Sequence, residues 1–263
     1  MGTELMRLHE SPRFAARTEP ERVALIHAQH TAAKASVILT NTFQVNPVVL
    51  GRSCTAEFHH ALWQSALDAA RSARPSPRYI LGDIGPFSEC MPKVASEVLR
   101  ECKSLDGVLL ETWSSLDDLR TFAHARKRST PPLLVSFTYY RSRKAGWRTF
   151  TDEQPEACAR AAQQTGAVAL GVNCGRNLSM KNMREIVRRY HDACELPVFI
   201  RPNAGTPKRT ASGWRYPRSP DAMAADLGPL LEEGIAMVGG CCGTTPDHIM
   251  HFRLAIDAWN EGR

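Results

Sequence analysis

Short, continuous apolar runs alternate along this chain with longer stretches in which apolar residues fall three and four apart. The runs at 36–43, 79–83, 107–111, 133–137, 168–174, 197–201 and 235–238 are predicted strands. Between them, 19–30, 54–72, 94–102, 116–125, 155–165, a stretch ending at Tyr190 and 222–232 read as helices. In the second of these, Phe58, Leu62, Ala66 and Ala69 mark the buried stripe. The strand runs lack polar alternation, so both faces of each must be covered, as in a parallel sheet wrapped by helices. A (β/α)8 TIM barrel is the simplest α/β architecture with this order, and a doubly wound open sheet is the runner-up. The pattern contains seven recognisable strands rather than eight.

Polar residues gather where the predicted strands end: Thr40, Asn41, Asp83, Glu111, Ser136, Asn173, Cys174, Asn203, and the adjacent pair Cys241 and Cys242. Barrels of this kind place their chemistry on that face. The pair stands in Gly239-Gly-Cys-Cys-Gly-Thr-Thr-Pro-Asp-His248. Adjacent side chains on an extended strand point to opposite faces, so both thiols can meet one ion only if the backbone leaves β geometry there, which Gly240 and Gly243 permit. Thr244 or Thr245 then caps a helix, with Pro246 in its first turn. Cys174 ends another apolar run and is followed by Gly175. Three thiolates suit a catalytic Zn2+, because structural zinc takes four protein ligands whereas three leave a corner for water or substrate. From the residues alone, ordinary buried cysteines remain an equal alternative.

Composition narrows the setting. A chain of 263 residues, with 43% hydrophobic and 23% charged residues, fits one barrel domain spanning 1–263. Eight Cys without a recognisable secretory leader point to a reducing, cytoplasmic location with free or metal-bound thiols. No run approaches the ~20 apolar residues of a membrane span, so no membrane partner is expected. The net charge of +6 is scattered over clusters such as Arg126–Arg128, Arg141–Lys144 and Arg188–Arg189. No recognition motif accompanies them, so they read as solvated faces, with no nucleic acid partner.

The motifs Gly171-Val-Asn-Cys174 and Gly239-Gly-Cys-Cys-Gly-Thr-Thr-Pro246 resemble those of the homocysteine S-methyltransferase family. The resemblance implies a zinc-dependent barrel whose metal ligands are Cys174, Cys241 and Cys242, which moves a methyl group from a small donor to the thiol of homocysteine, giving methionine. Donors within that family include S-methylmethionine, S-adenosylmethionine, betaine and methylfolate; a small sulfonium is preferred here. The same resemblance makes Glu111 the binder of the substrate ammonium and places Asn203 beside the metal. Gly2 and Thr3 fall in a turn whose amides receive a carboxylate. Asn173 either orients backbone or touches substrate, and Thr40, Asn41 and Thr42 support the site through hydrogen bonds. Members of the family begin with a strand ending Asp-Gly before a turn like Met1–Leu5. That strand is missing here, as though the chain started just after it. An open barrel, a gap covered by another segment or chain, and a natural start upstream are the three readings of this. A zinc-holding barrel that has lost catalysis and serves as a binding or structural subunit is the alternative function.

Two readings concern neighbouring residues. The segment 205–220, long, basic and carrying Trp214 and Tyr216, is either a lid or a passive loop. The remaining cysteines, Cys54, Cys90, Cys102, Cys158 and Cys194, are expected to pack or stand free, and His248 to be a helix or surface residue rather than a ligand.

Overall fold

The computed structural model describes residues 2–6, 11–51, 54–87, 90–175, 177–210 and 213–262. Seven strands form one sheet in chain order: β1 (Val37–Leu39), β2 (Tyr79–Ile84), β3 (Gly107–Trp113), β4 (Leu133–Phe137), β5 (Ala169–Asn173), β6 (Val198–Arg201) and β7 (Met237–Val238). Every neighbouring pair is parallel. The sheet curls as an incomplete barrel, with β1 and β7 as its two free edges.

The apolar runs split into two cores because successive strand residues face opposite ways. Val108, Leu110, Val135, Leu170, Val198 and Ile200 point outward and pack with the helices. Leu109, Ala169 and Phe199 point inward and form a separate cluster with Leu39 and Leu134 against them. Phe199 crosses this interior so closely that a Cβ on Gly171 would lie 2.2 Å from its ring. Further along each inward face the character changes. Asp83, Glu111, Ser136, Asn173 and Arg201 form a polar layer above the apolar one.

The open wall has a measurable consequence. Met237 pairs in register with Phe199 and therefore faces inward, yet it is 38% exposed. No described strand lies beyond it.

Several expectations need correction. The strand expected over 36–43 is ordered as a strand only at Val37–Leu39, and the one over 235–238 only at Met237–Val238. Edge strands have one pairing partner, and both of these are edges. The helix expected over 54–72 spans Ala56–Arg71, started by Thr55, whose Oγ1 accepts from Phe58 N at 3.2 Å. Leu62, Ala66 and Ala69 are buried as expected, but Phe58 is 37% exposed. It sits in the first turn, beyond the barrel wall, and meets Phe14 and the Arg17 guanidinium instead. Two exposed-edge hairpins, Tyr140–Ser142 with Gly146–Arg148 and Lys208–Thr210 with Gly213–Arg215, had no apolar run to announce them. The start of the chain is tied down: Gly2–Met6 is a short helix whose Leu5 is fully buried among Ala15, Ala16, Val23, Ile26, Ala66 and Ala69. Met1 lies outside the described residues.

Candidate functional site

The polar layer opens onto two loops that bring the predicted thiols together. After β5 the backbone turns sharply, with φ of +51° at Cys174 and +100° at Gly175. Only glycine fits the second position, since a Cβ there would lie 2.6 Å from the Tyr139 carbonyl oxygen. After β7 the chain leaves β geometry in a turn closed by Thr244 N donating to Cys241 O at 3.2 Å, and Gly243 takes the positive φ of +79°. A Cβ on Gly240 would collide with Thr244 Oγ1, whose own hydroxyl bonds Cys241 O at 2.8 Å. The turn resolves the problem of two adjacent thiols facing one point.

The sulfur atoms of Cys174, Cys241 and Cys242 lie within 4.8 Å of one another, the one group of three candidate ligands found among the described residues. Cys174 Sγ and Cys242 Sγ are 4.0 Å apart. Zinc–sulfur bonds of ~2.3 Å in a tetrahedron put neighbouring sulfurs about 3.8 Å apart, so this spacing fits one divalent ion. Electrostatics point the same way. Hydrogen bonds from the Cys241 and Cys242 thiols pull Cys174 down to about 3. The hydrogen bonds to Cys174, and after them its negative charge, push both of its neighbours up. A bound dication is what would let all three ionise.

Asn203 joins the two thiol loops. Its Nδ2 donates to Cys174 Sγ at 3.5 Å, and its Oδ1 accepts from Cys242 N at 3.1 Å. Asn173, fully buried, spends its amide on the protein: Oδ1 accepts from Ser136 Oγ at 2.5 Å and Thr112 N at 3.2 Å, while Nδ2 donates to Thr112 Oγ1 at 2.7 Å. Its Nδ2 also lies 3.8 Å from Cys241 Sγ. These bonds hold Thr112 at φ of +63°, an uncommon value for a β-branched residue, where β3 shifts register against β4. Strain of that kind costs about 1–3 kcal/mol and persists only where the surroundings enforce it.

Glu111, 6% exposed, stands beside the thiols with Oε1 3.8 Å from Cys241 Sγ. Burial raises its pKa, opposed by Arg201 and reinforced by Cys241. Asp83, buried next to it, is raised well above the usual carboxylate range, by burial first and then by the Glu111 charge. Arg201 Nη1 makes a close ion pair with Glu111 Oε1 at 2.7 Å, and Nε donates to Gly240 O at 3.2 Å. Burial works against the guanidinium charge, but Glu111, Cys241 and Asp83 together outweigh it and keep Arg201 protonated.

Gly2 and Thr3, expected in an anion-receiving turn, open a five-residue helix. Thr3 Oγ1 accepts from Gly243 N at 3.3 Å, so the start of the chain braces the thiol turn. Thr40 and Thr42 support β2 as expected: their hydroxyls are 2.6 Å apart, and Thr42 Oγ1 donates to Asp83 O at 2.8 Å. Asn41 instead turns away, donating to Pro12 O. His248 lies on the final helix, as expected. It is 4% exposed, caps the final helix through Thr245, and has Nε2 3.1 Å from Arg218 O. Of segment 205–220, in which 211 and 212 lie outside the described residues, the hairpin is exposed and Trp214 is 63% exposed. Tyr216 at its base behaves differently: a Cβ on Gly243 would lie 2.1 Å from Tyr216 Cγ, and the phenol is raised by burial and by the neighbouring Cys242.

Arg201 and Thr112 are therefore site residues that sequence reasoning did not single out, and Asp83 and Tyr216 ones it named without a role. Arg201 and Asp83 left one signal, since each follows an inward apolar residue by two positions at a strand end.

The methionine synthases of Mycobacterium leprae and Mycobacterium tuberculosis are each 31% identical to this chain, over 93% and 91% of it. The chain spans only 22% of the length of either relative. The fold is shared with the homocysteine methyltransferase MmuM from Escherichia coli, solved in oxidized and metallated forms, at a TM-score of 0.75 and 18% identity, covering 97% of this chain and 93% of that one. The family match itself runs over residues 1–256. The chain belongs to the homocysteine S-methyltransferase family.

Proposed function

We propose that this chain transfers a methyl group from a small sulfonium donor, S-methylmethionine being preferred, to the sulfur of homocysteine, with Cys174, Cys241 and Cys242 holding Zn2+. The observation that carries the reading is the convergence of three sulfurs within 4.8 Å at the strand-end mouth, next to the buried carboxylate of Glu111. When bound, the ion supplies the Lewis acidity that makes a thiol ionise at neutral pH while leaving it nucleophilic. The chain's own residues supply the rest. Asn203 fixes the two thiol loops relative to each other, and Asn173 locks the backbone that aims Glu111. Glu111 faces the substrate ammonium.

In the reaction the donor carbon–sulfur bond breaks, its electrons stay on the donor sulfur, and a positive sulfonium becomes a neutral thioether. The new bond forms from the homocysteine sulfur, whose proton leaves to solvent. The partners implied are thus a small-molecule thiol and a small methyl donor. No described helix is long and apolar enough to cross a membrane. All eight cysteines are unpaired, which fits a reducing, cytoplasmic setting.

One observation favours a second reading, a zinc-holding barrel that serves as a binding subunit: the sheet is open between β7 and β1. A single experiment separates the two. The zinc-loaded protein is incubated with homocysteine and each of S-methylmethionine, S-adenosylmethionine, betaine and a methylfolate, and methionine is measured by mass spectrometry. Formation of methionine with a sulfonium is expected. No methionine with any donor, with zinc retained, refutes catalysis.

A further inference from the structure

We propose that Arg201 reads the carboxylate of the amino-acid thiol, so that the wall beside the thiols is a receptor for a zwitterion rather than for an amine alone. The inference rests on the homocysteine reading and deepens it by assigning specificity to a residue outside the recognised motifs.

Strand alternation puts Arg201 directly above Phe199 on the inner face, in the same layer as Asp83, Glu111 and Asn173. Its stem lies over Gly239, where a Cβ would meet Arg201 Cγ at 3.1 Å. Part of the guanidinium is committed: Nε donates to Gly240 O, and Nη1, buried and without a well-directed hydrogen bond, lies 2.7 Å from Glu111 Oε1 as an ion pair. Among the described residues no hydrogen bond to Nη2 is found, and the side chain keeps 17% exposure. The partner carboxylate, Glu111, is 3.8 Å from Cys241 Sγ. An adjacent positive and negative group therefore flanks the place where a thiol would approach.

Charge complementarity selects the ligand. Two carboxyl groups beside three thiols would, without Arg201, attract any cation. With it, the wall carries both signs side by side, and an α-amino acid carries the same two signs on one carbon. The ammonium can face Glu111 while the carboxylate meets the free edge of Arg201, a planar donor suited to carboxylates. A largely buried guanidinium with an unused edge is costly, and a carboxylate there offsets that cost.

The test compares three thiols by calorimetric titration of the zinc-loaded protein: homocysteine, its analogue without the carboxylate (an aminopropanethiol) and its analogue without the ammonium (a mercaptobutanoate). The unaltered protein is expected to bind homocysteine at least about tenfold more tightly than the aminopropanethiol. Arg201→Met should shrink that preference below about twofold with zinc content unchanged, and Arg201→Lys should restore part of it. A full preference retained in Arg201→Met overturns the assignment, as does an equal loss for all three thiols, the mark of a merely structural role. If the unaltered protein, zinc in place, binds none of the three, the homocysteine reading itself fails.

Discussion

Cysteines occupy two regions of this molecule, and the same side chain has opposite fates in them. In the helical layer, Cys90, Cys102 and Cys158 are buried among apolar neighbours, where burial disfavours the charged form. Cys90 and Cys158 are pushed up to about 12, and Cys102 is raised as well. At the strand ends, Cys174 is pulled down to about 3 because two other thiols and Asn203 donate to it. The first group behaves as small hydrophobes and the second as latent metal ligands. The site thiols are also the less buried ones. What makes them a cluster is a glycine-bounded turn that lets sulfurs face one another.

The sharpest way to break this contrast is to delete one member from each region. Cys174→Ala or Cys242→Ala should drop zinc from about one ion per chain to below about a tenth, measured by elemental analysis after dialysis. Cys158→Ala should keep the zinc and cost only about 1–2 kcal/mol of stability in a denaturant titration. Equal zinc loss in both would erase the distinction.

Alkylation sharpens it next. In the chelator-treated protein, iodoacetamide should modify Cys174 at least about a hundredfold faster than Cys102 or Cys158 at neutral pH, read by peptide mass spectrometry. The sign follows from the shifts: a thiol lowered to about 3 is already thiolate between about pH 5 and 8, so its rate should stay flat there. The thiols near 12 remain protonated throughout that range.

Asn203→Ala should have a smaller effect, about tenfold weaker zinc affinity in a competition titration, because it removes the link between the two loops without removing a ligand. Asn203→Asp should recover part of the loss through Cys242 N, and an unchanged affinity in Asn203→Ala would show that the turns alone set the geometry.

The smallest effect belongs to the helical layer. Glu156, on the helix that carries Cys158, is held below the usual carboxylate range by its paired hydrogen bonds to Arg189, at 2.6 Å each. A lowered carboxylate stabilises the fold above its unfolded pKa of about 4.3 and loses that contribution as pH falls through the folded value. Glu156→Gln should therefore cost about 0.5–1 kcal/mol at pH 7, less at pH 3, and leave zinc binding untouched.

How far the sequence carried the account differs between the same two regions. The order of strands and helices was legible because strands covered on both faces read as apolar runs, and the thiols stood at run ends beside glycines. That same lack of alternation hid which strand residues point inward. Val198 to Arg201 reads alike in either register, so the place of Arg201 beside Glu111 became visible only with Phe199 fixed in the interior. The positive φ of Thr112 left no trace either, because a β-branched residue in a strand suggests ordinary extended backbone. The burial of His248 on its helix left no signal either, since the ring reaches Arg218 O, thirty positions away. Phe58 satisfied the helical spacing, yet the first turn extends past the wall it was expected to cover.

X-ray absorption spectroscopy of the zinc-loaded protein, with and without homocysteine, tests the central claim most directly. The account predicts three sulfurs at ~2.3 Å and one lighter atom in the free protein, and four sulfurs once homocysteine is added. Fewer than three sulfurs in the free protein, or no change on adding homocysteine, would contradict it.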